Sequence, residues 1–393
     1  MMDKIAVQKL ASHFNKRVYV YGAGRQGKFL FNLLHDHVDI AGFIDTDSSK
    51  QSNGEVGIPV YGLDRLHQDK DCQVLISLAL PLKDSSACLD VLRLLENDYG
   101  FTRGVSLYTQ SDIFESLSDE EFVRVYFEMT FDRPINLENP RTINEKVQWL
   151  KLYDRKPLYT DMADKVAMRK IVEDRVGSKY VVPLLGVWDS FDDIDFDQLP
   201  NEFVLKCSHD SASYVICKDK VTFDYEYAKN RLEKALGINF HMYSREWVYK
   251  DIKPQIIAEK YMGFIKQDYR FVCYNGDVKW FICAIDWADV SRQKYQAYLT
   301  DFTYLPVKLK YPINPDYNFI KPEFFDEMMD LSAKLSKDVP LLRVDLWEQD
   351  GQIYVNELSF YLHSSGFFHF EPSYFDELLG MGLVLPKIQG GSN

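Results

Sequence analysis

The stretch Leu341 to Phe360, LLRVDLWEQDGQIYVNELSF, sets the tightest constraint on what this chain can fold into. Apolar and polar residues alternate on both sides of Gln349-Asp350-Gly351, so the segment is expected to form two strands joined by a tight hairpin. Acidic residues are depleted from strands. Asp345 nevertheless sits in the middle of the first run and Glu357 in the second, each bracketed by aliphatic neighbours. Two residues of a hairpin share a face only when their summed positions match the pairing register, and for 345 and 357 that asks for a loop of odd length. A three-residue loop with a bulge at Gly351, or a five-residue loop, would put both carboxylates and Arg343 on one face. Like charges there repel unless a cation lies between them. A two-residue Asp-Gly turn would separate them. Two readings stand. One is a rigid face of two acids and a guanidinium, suited to a magnesium nucleotide and a developing oxyanion. The other is an ordinary antiparallel pair with acids and arginine turned to water.

A chain of 393 residues has room for two or three domains with substantial cores. Its 46 Lys plus Arg against 59 Asp plus Glu leave a formal charge of -13, which argues against nucleic acid as a main partner. No basic stretch followed by an apolar run opens the chain, and no apolar run approaches membrane-spanning length. The expectation is a cytoplasmic protein with no membrane span; its oligomeric state stays open. The six cysteines form no C-x-x-C pair and lie mostly in apolar strand-like runs, as buried free thiols do. The histidines lack ligand spacing, so zinc is not expected.

Near the start, the strand Arg17 to Tyr21 runs into Gly22-Ala23-Gly24-Arg25-Gln26-Gly27 and then an apolar-periodic helix through Leu34. That order is the context of a nucleotide fingerprint, with Gly22, Gly24 and Gly27 under the phosphates. The next strand, Ile40 to Ile44, ends at Asp45, placed to bind a ribose. The competing reading is that the glycines only make a tight turn. Strands and helices alternate to about residue 113. The segments GFIDTD and GIPVYG resemble the N-terminal nucleotide-sugar-binding domain of bacterial sugar acetyltransferases and related polysaccharide-assembly proteins. That resemblance implies a bound nucleotide-sugar.

Farther on, EFVLKC places Lys206 among apolar residues, where a lysine demands an anionic partner or a shifted pKa. The loop Ser208-His209-Asp210-Ser211-Ala212-Ser213 follows, then a return strand. Lysine, small polar loop and return strand make a reasonable phosphate cover. A surface hairpin with an extended lysine competes with it. The run QIIAEKYM, ending at Met262 before Gly263, is expected to be a core strand that leaves its sheet at a hinge. Lys165 lies beside Asp164 in an expected helix, Asp161 to Val176.

From about residue 120 onward the chain resembles the ATP-grasp superfamily, and within it the branch named for a teichuronopeptide-biosynthesis protein. The segments that carry this are INEKVQWLKLYDR, LYTDMADKVAMRKIV, PLLGVWDSFDDIDFDQLPNEFVLKCSH, YSREWVYKDIKPQIIAEKYM and LLRVDLWEQDGQIYVNELSFY. The implied fold is an N-terminal Rossmann-like parallel-sheet domain over residues 1–113 followed by an ATP-grasp fold over 114–393. The latter would divide at 114–195, a lid at 196–262 and a metal and substrate part at 263–393.

The resemblance also implies roles. Lys165 and Lys206 would contact phosphate under the cover of Ser208, Ser211 and Ser213. Glu259, Lys260, Tyr261 and Met262 would hold adenine and ribose, Asp345 and Glu357 would bind Mg2+, and Arg343 would stabilise an oxyanion. Arg245, Arg270, Ser364 and Ser365 are candidates for substrate contact. Two departures stand out: the family's glycine-rich phosphate loop has no glycine here, and Ser359 stands where an Asn often completes the metal site. The expected activity joins a uronic acid to an amino acid or small amine at the expense of ATP, in bacterial surface-polysaccharide synthesis. Competing are phosphotransfer to a sugar hydroxyl and a glycosyltransferase-associated protein with a degenerate ATP site.

Overall fold

The computed structural model describes residues 4–51, 57–78, 86–210, 213–263, 265, 267–285, 294–309, 311–313 and 321–387. They fall into two units, Met1–Ile135 and Asn136–Asn393.

Five strands form the sheet of the first unit: β1 (Arg17–Tyr21), β2 (Ile40–Ile44), β3 (Val60–Tyr61), β4 (Cys72–Ile76) and β5 (Leu107–Thr109). Their order is β3-β2-β1-β4-β5, all parallel. The near-continuous apolar runs of β1 and β4 suit strands covered on both faces. The chain winds outward from β1 to β3, then returns to β4 and β5, so β1 and β4 flank the switch point where open α/β sheets leave a crevice. The glycine turn sits there. Gly22 has φ 99, and a Cβ on Gly27 would come within 1.9 Å of the Gly22 carbonyl oxygen. These two glycines therefore serve the turn and the close packing of helix Arg25–Leu34. The unit ends with helix Asp119–Phe131, opened by a capping box between Ser118 and Glu121.

The second unit holds two antiparallel sheets. The first, ordered β6-β9-β7-β8, uses β6 (Leu184–Trp188), β7 (Phe203–Cys207), β8 (Tyr214–Cys217) and β9 (Ile256–Lys260). Alternation along β7 buries Phe203, Leu205 and Cys207 against Ala228 and Leu232 of helix Tyr225–Leu236, which leaves Lys206 on the other face.

The larger sheet is ordered β13-β12-β11-β10-β14-β15. Its strands are β10 (Gln267–Tyr274), β11 (Asp277–Ile285), β12 (Lys294–Leu299), β13 (Tyr304–Leu305), β14 (Leu341–Gln349) and β15 (Gln352–Ser359). One face is dry: the rings of Phe271 and Phe281 pack on Phe325 of helix Phe325–Leu335 at 5.5 and 4.8 Å. The opposite face carries the charged residues. All six cysteines are free and buried. Among the described residues no helix is long and apolar enough to cross a membrane.

Candidate active site

The hairpin corrects one expectation and keeps its consequence. Its loop has two residues, not three or five: Gln349 pairs with Gln352 around Asp350 (φ 54) and Gly351 (φ 75). Positive φ at both positions is what a two-residue primed turn requires, and Asp-Gly supplies it. The extra residue lies inside β15 instead. Leu346 pairs with Val355 and Asp345 with Glu357, so Asn356 is a bulge that reverses the facing of everything after it. Asp345 therefore stands directly opposite Glu357, and Arg343 opposite Ser359.

On this face charges alternate. Arg343 grips both oxygens of Asp345, Nε to Oδ1 and Nη2 to Oδ2, each at 2.7 Å. Nη2 also donates to Ser359 Oγ at 3.0 Å and lies 3.8 Å from Glu357 Oε2. Nη1 is 3.3 Å from His363 Nδ1. A guanidinium only donates, so Nδ1 accepts and the ring proton sits on Nε2. From β10, Arg270 donates Nε to Asp268 Oδ2 at 2.7 Å, stands 3.8 Å from Asp345 Oδ2, and donates to the Tyr295 hydroxyl. Burial pushes the Asp345 carboxyl up to about 6, against the pull of Arg343 and Arg270.

Two carboxylates on adjacent strands suit Mg2+, which takes one or two protein carboxylates and completes its shell with phosphate oxygens and water. Among the described residues no three acids, histidines or cysteines cluster for a metal. Asp345 and Glu357 are thus a pair, and a hydroxyl at Ser359 is the neighbouring oxygen. They fit a cation held jointly with a nucleotide, on condition that the Arg343 fork releases an oxygen of Asp345.

On the smaller sheet, Lys206 Nζ lies 2.7 Å from Glu259 Oε2, and Arg169 donates to Glu259 Oε1 at 2.8 Å. Half-buried Lys206 finds its anion in Glu259, and that carboxylate is already shared by two cations. Lys165 reaches the phosphate loop, with Nζ on the carbonyls of Ser208 and Asp210. Within the loop, Ser208 Oγ donates to Lys253 O at 3.2 Å and Ser213 Oγ to Asp210 Oδ1 at 2.7 Å. Both hydroxyls are turned inward, so the cationic part of the cover is Lys165 and Lys206. Ser211 and Ala212 lie outside the described residues. Lys260 N bonds to Pro183 O at 2.9 Å, Tyr261 follows, and Gly263 (φ 83) turns the chain out of the sheet. Met262 packs with Val182, Ile265, Trp347 and Tyr354. Trp347 shares the Asp345 face of β14, so this apolar group joins the hinge to the charged face.

The substrate candidates are divided. Arg270 lies on the charged face. Ser364 is exposed, while Ser365 is buried with its hydroxyl on Glu246. Arg245 is buried, with φ 55 and Nη1 3.5 Å from Met242 Sδ. Sequence reasoning missed Asp268, Tyr295, Glu246 and Lys151. Asp268 and Arg270 had a signal, since they alternate with apolar residues in DYRFV. In the first unit, Asp45 turns its carboxylate onto the glycine turn itself: Oδ2 accepts from Ala23 N at 2.9 Å and Oδ1 from Asp47 N at 3.0 Å. Gly24 has open space above it.

The profile of the TupA-like ATP-grasp family matches residues 145–384, well over half of the chain and including every charged residue of the two sheets just described. The chain belongs to the TupA-like ATP-grasp family. Membership makes it an ATP-binding ligase in class. The match lies wholly in the second unit and lends nothing to the nucleotide-sugar resemblance of the first. Among solved structures the TupA-like chain is similar to an L-amino acid ligase from Bacillus licheniformis, at 14% identity and TM-score 0.38, over 96% of this chain and 78% of that one. It is also similar to a D-alanine–D-alanine ligase from Bacillus anthracis, at 13% identity and TM-score 0.30, over 88% and 87% of the two chains. For the ATP-grasp ligase PsnB complexed with minimal precursor the figures are 12%, 0.31, 90% and 93%. No curated protein matches.

Proposed function

We propose that this TupA-like protein is an ATP-dependent carboxylate–amine ligase that joins a uronic acid, free, nucleotide-linked or within a polysaccharide, to an amino acid or small amine. The observation that carries the proposal is the grouping of buried Arg343 and Asp345 with half-buried Glu357 on one sheet face within an ATP-grasp domain. A carboxylate oxygen of the substrate attacks the γ-phosphorus of ATP, the bond to the β-bridging oxygen breaks, and ADP leaves. The amine nitrogen then attacks the carbonyl carbon of the acyl phosphate, phosphate departs, and the nitrogen gives up its proton.

Phosphoryl transfer needs positioned cations more than covalent help, and Lys165 and Lys206 fill that role beside the loop at Ser208. Arg343 is placed to stabilise the negative charge that builds on the carbonyl oxygen. Bound Mg2+ at Asp345 and Glu357 would neutralise the phosphates. Met262 and Trp347 offer an apolar wall for adenine, between the hinge and the charged face. In the first unit, the switch-point glycines and the open space over Gly24 support a nucleotide-sugar as the carrier of the uronate. We place the reaction in the cytoplasm, in bacterial surface-polysaccharide synthesis.

The test mixes ATP, Mg2+, candidate uronates and amines. Expected are ADP, phosphate and an amide in equal amounts. A phosphorylated sugar as the stable product would instead identify a phosphotransferase. ATP binding with no ADP release under any pairing would leave only a nucleotide-binding protein.

A further inference from the structure

Lys151, in the helix Ile143–Tyr153, is wholly buried. Its ammonium donates to Ser244 O at 2.9 Å, Ser365 O at 3.0 Å and Gln148 Oε1 at 2.8 Å. The same two serines turn their hydroxyls to one oxygen of Glu246, Ser244 Oγ at 3.4 Å and Ser365 Oγ closer still. A buried lysine and a buried glutamate are thus bridged twice, by carbonyls on one side and hydroxyls on the other. Such a network is rigid only when every member is satisfied. Gln148 adds bonds from Nε2 to Ser365 O at 2.9 Å and Gly366 O at 3.1 Å. Lys151 favours the charge on Glu246 and Glu357 opposes it.

What the network grips is left-handed backbone. Ser364 (φ 48), Ser365 (φ 60) and Gly366 (φ 71) follow one another in a region that serine rarely enters. Such conformations persist only where the surroundings over-determine them, and they gather at functional sites. One residue earlier, His363 accepts from Arg343 Nη1. The turn therefore has Arg343 at one end and the Lys151–Glu246 pair at the other.

We propose that Lys151 and Glu246 are positioning residues for Arg343, acting through the left-handed turn at residues 363–366. The proposal rests on the reading of Arg343 as the arginine of the ligase reaction. Without the grip the turn relaxes, His363 leaves Arg343 Nη1, and the guanidinium gains a second orientation. Neither Lys151 nor Glu246 needs to touch substrate.

Nitrogen NMR of the full chain, with histidines labelled with nitrogen-15 and His363 assigned by His363→Gln, reads this contact without any turnover. In the wild type, Nδ1 is expected unprotonated and Nε2 protonated. In Glu246→Gln the two tautomers should average. Ser365→Ala, which leaves the Lys151–Glu246 pair in place, should do the same. Alongside, ATP-dependent hydroxamate formation from glucuronate and hydroxylamine should fall about a hundredfold in both variants, the loss expected when a reacting group is displaced by about an ångström. ATP affinity should hold, and neither change should add to the loss caused by His363→Gln. A wild-type His363 signal in both variants overturns the proposal, and so do additive losses. If the wild type makes no hydroxamate while the His363 signal still shifts in the variants, the ligase reading falls and the positioning of Arg343 stands.

Discussion

Asp345 faces Glu357 across the β14–β15 pair because Asn356 is an extra residue between them, not because of the turn. The bulge does the work that loop parity would otherwise have done. Asn356→Ala keeps the extra residue and is expected to leave activity within about twofold, as surface changes do. Deleting Asn356 closes the bulge into regular pairing in which Glu357 still stands opposite Asp345 and Leu358 opposite Val344, so the facing of both is expected to survive. ATP turnover should persist in both variants, with urea unfolding to confirm that both stay folded; loss of turnover in a folded deletion variant would contradict this register.

The Arg343–Asp345 fork is buried and bidentate, with side chains 7% and 2% exposed. Breaking such a pair on one side leaves an uncompensated buried charge. Arg343→Ala should therefore lower stability by about 3–5 kcal/mol, read as a lower urea midpoint at an unchanged slope. Arg343→Lys keeps the charge and loses the fork, so it should recover part of the stability and little of the activity.

Much of this was legible and some was not, for physical reasons. Alternation in LLRVDLW and YVNELSF announced the strands and their misplaced acids. Sequence places the parity in the loop because turn residues declare themselves, whereas any polar strand residue can be a bulge. Lys206 announced a partner by its apolar neighbours, but which of the later acids it meets, Glu259, depends on how β7 pairs with β9. Lys151 carried a similar signal in WLKLY. On a helix a single lysine ordinarily reads as a solvated face, and only the packing of residues 244–246 and 363–366 around it reveals otherwise.

Acidity should act on turnover through Asp345. Its folded carboxyl holds a proton up to about pH 6, above the ordinary carboxylate range, because burial penalises the charge. At subsaturating Mg2+, where proton and cation compete for this carboxylate, turnover is expected to fall as pH drops through about 6, while the fold gains from this group's protonation. The sign is opposite to the usual acid case: with the folded pKa raised, the stability this carboxyl contributes is present at low pH and lost as pH rises through 6. A pH–rate profile beside a pH–stability profile checks both limbs.

Lys206 stands between a protein carboxylate and the expected phosphates. Lys206→Met should weaken ATP binding by about 10–100-fold, the worth of one charge-assisted hydrogen bond. Glu259→Gln leaves both Lys206 and Arg169 without their shared anion, and should cost stability more than affinity. Calorimetric titration with ATP and thermal unfolding separate the two effects.

The charged face of β14 and β15 as an ATP-grasp centre is tested most directly by titrating ATP into the wild type and into Glu357→Gln, each with and without Mg2+. Expected is a wild type that binds ATP about 10–100-fold more tightly with Mg2+, and a Glu357→Gln variant, folded by its unfolding curve, in which Mg2+ changes little. Equal Mg2+ dependence in the two proteins would contradict the assignment of Asp345 and Glu357 as the metal-binding pair.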